Sequence, residues 1–231
     1  IICISLLKHL IEMSGIDDYT EDSEFDLFKN PNEVMKGDFF FKINREDKTA
    51  TLIEQRCNNA VVLIPRSIEH EGEEYIVTKI QEKTFYNTYM IKSIQFPLDS
   101  QIQTIEQKVF YKSRIESIII PPSLFELQEG WCNNTPNLTK ITVMPNNEHF
   151  MCLEEKMIVG KSDEKSCIYD VLVFVSRDAK KVKIPTFIKR IASFAFSLSL
   201  IESVKIPPHV THIGEGAFYS CLCLEKVEFP P

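Results

Sequence analysis

Aliphatic residues recur along this chain in short alternating runs, and each run ends on proline. The runs are Val62-Leu-Ile-Pro65, Ile94-Gln-Phe-Pro97, Ile118-Ile-Ile-Pro121, Ile141-Thr-Val-Met-Pro145, Val182-Lys-Ile-Pro185, Val204-Lys-Ile-Pro207 and Val227-Glu-Phe-Pro230. Alternation over so few residues predicts a half-buried strand, with odd positions turned inward and the residue between them facing solvent. Proline stops such a strand because it has no N–H for the next rung and fixes the backbone at the corner. The seven prolines stand 32, 24, 24, 40, 22 and 23 residues apart. A unit of about 23 residues is too small to bury its own apolar face, so successive units must stack and share one core.

The stretch between prolines is patterned as well. An aliphatic residue precedes an aromatic by five positions at Ile80 and Phe85, Ile105 and Phe110, Ile191 and Phe196, and Ile213 and Phe218, while Leu127 and Trp131 are one residue closer. Aliphatics then enter the next strand at Ile91, Ile115, Ile201 and Leu224. The expected architecture is a solenoid, α/β to mainly β, with one short parallel strand per turn and with Phe85, Phe110, Trp131, Phe196 and Phe218 filling the interior from short helical or irregular turns. The two long intervals are expected to hold inserted β-hairpins. One lies at about 66–78, around the charged Glu69–Tyr75 segment with its Gly72; the other lies at 146–180, where Met157-Ile-Val159 and Val171-Leu-Val-Phe-Val175 flank a polar loop. Phe39–Ile43 and Thr49–Ile53 read as a strand pair capping the N-terminal end of the stack.

The unit running from Val204 to Pro230, with Ile206-Pro207, Ile213-Gly214, Ala217-Phe218, Cys221 and Leu224, resembles the leucine-rich repeat of the BspA-like (Treponema-type) class. The resemblance covers roughly residues 37–231 and is degenerate in places: Gly-Ala-Phe gives way to Lys83-Thr-Phe85 and Lys108-Val-Phe110, and Trp131 replaces a phenylalanine. It implies a non-enzymatic adhesion or protein-recognition module of the kind found on the surfaces of bacteria and parasitic protists, in some members binding extracellular matrix proteins. A cell-surface location is therefore the expectation from the resemblance, with a cytoplasmic location as the alternative.

Charge divides the chain unevenly. The net charge is −7, from 26 basic and 33 acidic residues, yet residues 1–30 alone hold seven acids against two lysines. Residues 1–36 read as an acidic, solvated leader, and 37–231 as the repeat domain, truncated at its C-terminus because the sequence stops inside a unit. The apolar run at 1–11 is too short to span a bilayer, and no membrane span is expected within the chain. The nearly neutral repeat region has no basic stripe, which argues against nucleic acid as a partner. Seven cysteines without framework spacing signal neither a disulfide scaffold nor a zinc site.

Catalytic signals are weak, so no enzyme activity, cofactor or metal is expected. Gly160-Lys-Ser162 matches the end of a phosphate-binding loop, but Glu155 stands where that loop needs glycine. His209 and His212 have ligand-like spacing with no third ligand placed by the pattern. Asn133-Asn-Thr135 and Asn137-Leu-Thr139 fit the glycosylation acceptor pattern at Asn133 and Asn137, with Pro136 weakening the first. The binding surface is instead expected on the outward strand positions, which stack about 5 Å apart: Leu63, Gln95, Ile119, Thr142, Lys183, Lys205 and Glu228. Its partner would be a protein or glycoprotein, and the resemblance points to the extracellular matrix as one source. The alternative is an intracellular structural or assembly scaffold whose repeats join only to further repeats.

Overall fold

The computed structural model describes residues 30–163 and 165–230, so residues 1–29 of the acidic leader lie outside the described part. Residues 34–231 form the compact body, and among the described residues it contains strands and turns but no helix. Six of the seven proline-terminated runs form the expected paired strands, whereas Val182-Lys-Ile184 does not, its turn contributing only an isolated bridge at Lys181. Val61–Leu63, Ser93–Gln95, Ser117–Ile120 and Lys140–Val143 make a parallel four-stranded sheet in chain order. Ser203–Lys205 and Lys226–Glu228 continue the pattern as a parallel pair, joined to the turn before by a bridge between Lys181 and Ser203. The inward residues Val62, Ile94, Ile118, Ile141 and Val204 are all buried.

Each turn also carries a second strand that periodicity does not reveal. Thr104–Ile105 and Glu126–Leu127 pair in parallel beyond Glu73–Ile80, and Arg190–Ile191 and His212–Ile213 pair in parallel beyond Val171–Val175. Most of these segments are two residues long, too short for alternation to register in sequence. The aliphatic that precedes each aromatic is thus itself a strand residue.

Both expected hairpins are present. Ser67–His70 folds back on Glu73–Ile80, and the capping pair is Phe39–Asn44 with Thr49–Gln55, which pairs in parallel with Glu73–Ile80. The 146–180 insertion holds one strand more than the sequence suggests. Phe150–Leu153 pairs antiparallel with Met157–Gly160, which pairs antiparallel with Val171–Val175. The first of these turns contains Glu154 and Glu155, both with positive φ (51° and 54°). Two consecutive left-handed residues make a tight hairpin, but Asn or Gly is its usual sequence signal and glutamate is not. The turn stack bypasses the insertion: Arg177 donates its N–H to the Leu138 carbonyl at 3.2 Å, and the Arg177 carbonyl accepts from Leu200 at 3.0 Å.

Phe85, Phe110, Trp131 and Phe196 are buried, and Phe218 in the last described turn is half-buried. They sit in irregular turns bracketed by left-handed residues four apart, at Lys83 and Asn87, Lys108 and Lys112, Gly130 and Asn134, Phe194 and Leu198, and Gly216 and Ser220. Rings stack from turn to turn, Phe85 on Phe110 at 5.4 Å and Phe196 on Phe218 at 4.7 Å. Trp131 does not occupy the phenylalanine slot. Phe85 donates to the Val109 carbonyl and Phe110 to that of Trp131, so Trp131 stands in the place of Val109 and the residue beneath Phe110 is Cys132.

Candidate protein-recognition face

The register of the proline-terminated strands decides which outward side chains stand side by side. Leu63 pairs with Gln95, Ile94 with Ile118, which sets Gln95 beside Ile119, and Ile119 pairs with Thr142. Lys205 pairs with Glu228, and the bridge between Lys181 and Ser203 sets Lys183, two residues on, beside Lys205. The structure therefore gathers the seven expected residues into two rows, Leu63-Gln95-Ile119-Thr142 and Lys183-Lys205-Glu228, separated where the insertion leaves the stack. Leu63, Thr142, Lys183, Lys205 and Glu228 are exposed, while Gln95 and Ile119 are half-buried.

A parallel outward row lies two residues earlier on each strand: Val61, Ser93, Ser117 and Lys140, then Lys181, Ser203 and Lys226. Together the rows are chemically bipartite, which single positions read from sequence do not show. In the first four turns Lys140 is the one charge among eight outward residues; in the last three, five of six are charged and four of those are lysines. The serine hydroxyls of Ser93 and Ser117 bond each other at 3.0 Å. At the far end Lys226 reaches Glu228 at 2.7 Å, and that hydrogen bond together with the lysine charge holds the Glu228 carboxyl below its ordinary value. Lys183 and Lys205 have no salt-bridge partner among the described residues. The face thus offers a tract with one charge, Lys140, beside a cationic one.

Other candidate chemistry is already committed to structure. Gly160 ends a strand, and Ser162 donates to Asp170 from its N–H at 3.0 Å and its hydroxyl at 2.9 Å, so the Gly160-Lys-Ser162 fragment clasps a loop. Lys189 approaches the same carboxylate at 3.3 Å. Burial pushes the Asp170 carboxyl upward, but the Ser162 hydrogen bonds and the Lys189 ammonium outweigh it and hold the carboxyl below its usual range. A cleft of about 250 Å³ lies where the second strand series passes from Glu126–Leu127 to the insertion, with Gly160, Val171, Val173 and Ala192 among its apolar lining. Within it Glu129 accepts from Ser193 and stands 3.8 Å from Arg190. His209 and His212 are both exposed. Asn133 and Asn137 are half-buried, and the Thr135 hydroxyl that completes the first acceptor pattern is buried and donates to the Cys132 carbonyl at 2.6 Å.

The sequence reading missed Arg177, which is 2% exposed. Its Nη1 donates to the carbonyls of Val175 and Ala195 at 3.3 and 3.2 Å, its Nη2 lies 3.5 Å from Cys132 Sγ, and its guanidinium lies 4.5 Å from the Phe174 ring centroid. The Nε proton finds no acceptor. Burial, partly offset by Arg177, pushes the Cys132 thiol up to about 11, so it is a neutral thiol rather than a nucleophile. No periodic signal flags an arginine in a core slot. All six described cysteines are free thiols.

The family model for the BspA type leucine-rich repeat region matches six copies, over residues 66–152 and 168–231. Among solved structures, the chain is similar to a leucine-rich cell surface protein from Faecalibacterium prausnitzii A2-165, with 19% identity, 87% of this chain and 77% of that one covered, and a TM-score of 0.47. It is also similar to the pneumococcal vaccine antigen PcpA, at 16% identity with 87% and 70% covered and a TM-score of 0.46. A leucine-rich repeat protein of T. pallidum shares 17% identity over 84% and 70% of the two chains, with a TM-score of 0.47. No curated protein matches. Among the described residues, no helix is long and apolar enough to cross a membrane.

Proposed function

The chain belongs to the BspA type leucine-rich repeat family, and from that premise we propose that it is a non-enzymatic adhesion module that binds a protein or glycoprotein through its outward strand rows. The observation that carries this reading is the bipartite face. A tract with Lys140 as its one charge beside unpaired lysines fits a protein surface that is apolar at its centre and acidic at its rim, because apolar contact supplies affinity while charge sets orientation and association rate. In the cleft beside the insertion Glu129 is held by Ser193 and Arg190, so the outward rows suit a broad protein contact better than that cleft suits a small molecule.

Immobilised extracellular matrix proteins are the test ligands. Binding by the full chain should weaken about tenfold or more when Lys183 and Lys205 are both changed to Glu, since removing and reversing paired charges at a contact costs more than ~1.4 kcal/mol. Unchanged binding would remove the basic row from the site. Antibody labelling of intact against permeabilised cells tests the surface location: signal that appears only after permeabilisation would leave the intracellular scaffold as the better reading.

A further inference from the structure

The N-terminal edge of the proline-strand sheet is built differently from its other edges. Val61–Leu63 is the terminal strand of the four-stranded sheet, paired on one side with Ser93–Gln95. The Ala60 carbonyl accepts from Lys92 and Ser93 at 2.7 and 3.0 Å, and Ile64 donates to Gln95 at 3.0 Å. Even-numbered residues therefore direct their backbone groups at the neighbouring strand. Those of Val61 and Leu63 point the other way, and among the described residues no strand pairs with them. Side chains at both positions are more than half exposed, at 53% and 56%.

Open edges are normally blunted by charge, proline or a covering element. The opposite edge of this sheet carries Lys140, and the last described strand carries Lys226 and Glu228. From Cys57 to Pro65 there is no charged residue at all. Beside the strand, Arg56 and Asn58 share a shallow depression with Tyr89 and Met90, the last two more than half exposed. No charge lies on the strand itself, so two copies can bring this edge together without like-charge repulsion along it.

We propose that this edge is a self-association site, at which Val61–Leu63 pairs antiparallel with the same strand of a second copy about a two-fold axis through Val62. The geometry is self-complementary. With the axis at Val62, Val61 faces Leu63 of the second copy and Leu63 faces its Val61, and both are pairs whose outward N–H and C=O groups exchange two hydrogen bonds. Four backbone bonds form, and two Val–Leu cross-strand contacts cover the exposed aliphatics. The contact is isologous, so it closes at a dimer and joins two four-stranded sheets into one of eight strands. It goes beyond recognition of a foreign protein, because it uses the backbone edge of this strand and needs no partner other than the chain itself, although Leu63 also stands in the outward row.

Sedimentation velocity of the full chain, from about 1 to about 100 µM, tests it. A concentration-dependent dimer is expected, and Val61→Lys with Leu63→Lys should weaken it at least tenfold while leaving thermal unfolding unchanged, both side chains being exposed. Lys226→Glu at the far end should leave the dimer intact. Hydrogen exchange supplies the second readout: the Val61 and Leu63 amides should exchange fast in dilute samples and slow as the dimer forms. A wild-type chain that stays monomeric throughout, or a dimer indifferent to the lysine pair, overturns the proposal. So does a monomer whose Val61 and Leu63 amides are already protected, because the edge is then covered within one chain.

Discussion

Gly214 and Gly216 show why the best-formed repeat keeps its glycines. A Cβ on Gly214 would stand 2.7 Å from Ser193 Oγ and 2.8 Å from the Ala192 carbonyl carbon, with the Ser193 nitrogen closer still, so the turn below leaves no room for a side chain. Gly216 combines a φ of +57° with the Phe194 ring 2.6 Å from its missing Cβ. Gly214→Ala should destabilise the fold by about 1–3 kcal/mol, as overpacking against backbone does, read as a lower urea midpoint. The equivalent left-handed position is Lys83 or Lys108 in earlier turns, with φ of 64° and 54°. Left-handed geometry costs a side-chain-bearing residue roughly 1–2 kcal/mol, against about 0.5–1 for the entropy of glycine, so Lys108→Gly should raise the midpoint slightly. Arg177 makes a contrasting case: a buried cation with an unpaired Nε is a poor stabiliser, and Arg177→Met should be neutral or stabilising by up to about 4 kcal/mol. A clear loss in the same urea titration would mean that its carbonyl hydrogen bonds outweigh its desolvation.

At the scale of elements, the loop after Gly160 hangs on one carboxylate. Asp170 accepts from Ser162 and pairs with Lys189, and its folded-state affinity for a proton is lower than in the unfolded chain. Its contribution to stability is therefore complete above the unfolded value of about 3.9 and is lost as pH falls through the lower folded value. Amide exchange in 161–169 should accelerate on acidification below about pH 4, and Asp170→Asn should show the faster exchange already at neutral pH. An exchange rate there that follows only the intrinsic pH dependence would contradict the clasp. The elements legible in the sequence were those with a long-range repeat or a strong local signal: the proline-ended strands, the Gly72 hairpin and the capping pair. Two kinds were not. The strands at Thr104–Ile105 and Arg190–Ile191 are too short for a period, and the Phe150–Leu153 strand is announced by a Glu154-Glu155 turn that no composition rule marks. The face was legible as single positions, because proline fixes the register, but its division into neutral and basic tracts appears only when the rungs are set side by side.

At the largest scale, the core of the described residues divides into two clusters, one from Val34 to Phe174 and one from Met157 to Ala217, with Arg177 bonded to Cys132 of the first and to Ala195 of the second. In a stack, each turn is stabilised mainly by its neighbours, so damage should spread locally. Phe196→Ala, costing about 3–5 kcal/mol, should release protection in 171–228 while 39–143 still exchanges slowly; simultaneous loss in both regions would show one cooperative unit. The same division is seen outside, where the neutral rungs lie on the first part of the stack and the lysine rungs on the second. The most direct test of recognition by this face is quantitative binding to immobilised matrix proteins by four forms of the full chain: wild type, Ile119→Glu with Thr142→Glu, Lys183→Glu with Lys205→Glu, and Glu215→Lys with Lys108→Glu, two exposed residues of the aromatic turns. At least a tenfold loss is expected for both outward-row pairs, about 1.4 kcal/mol or more, with the last pair near wild type. Loss confined to the Glu215 and Lys108 pair, with both outward-row pairs silent, would contradict recognition by the outward rows.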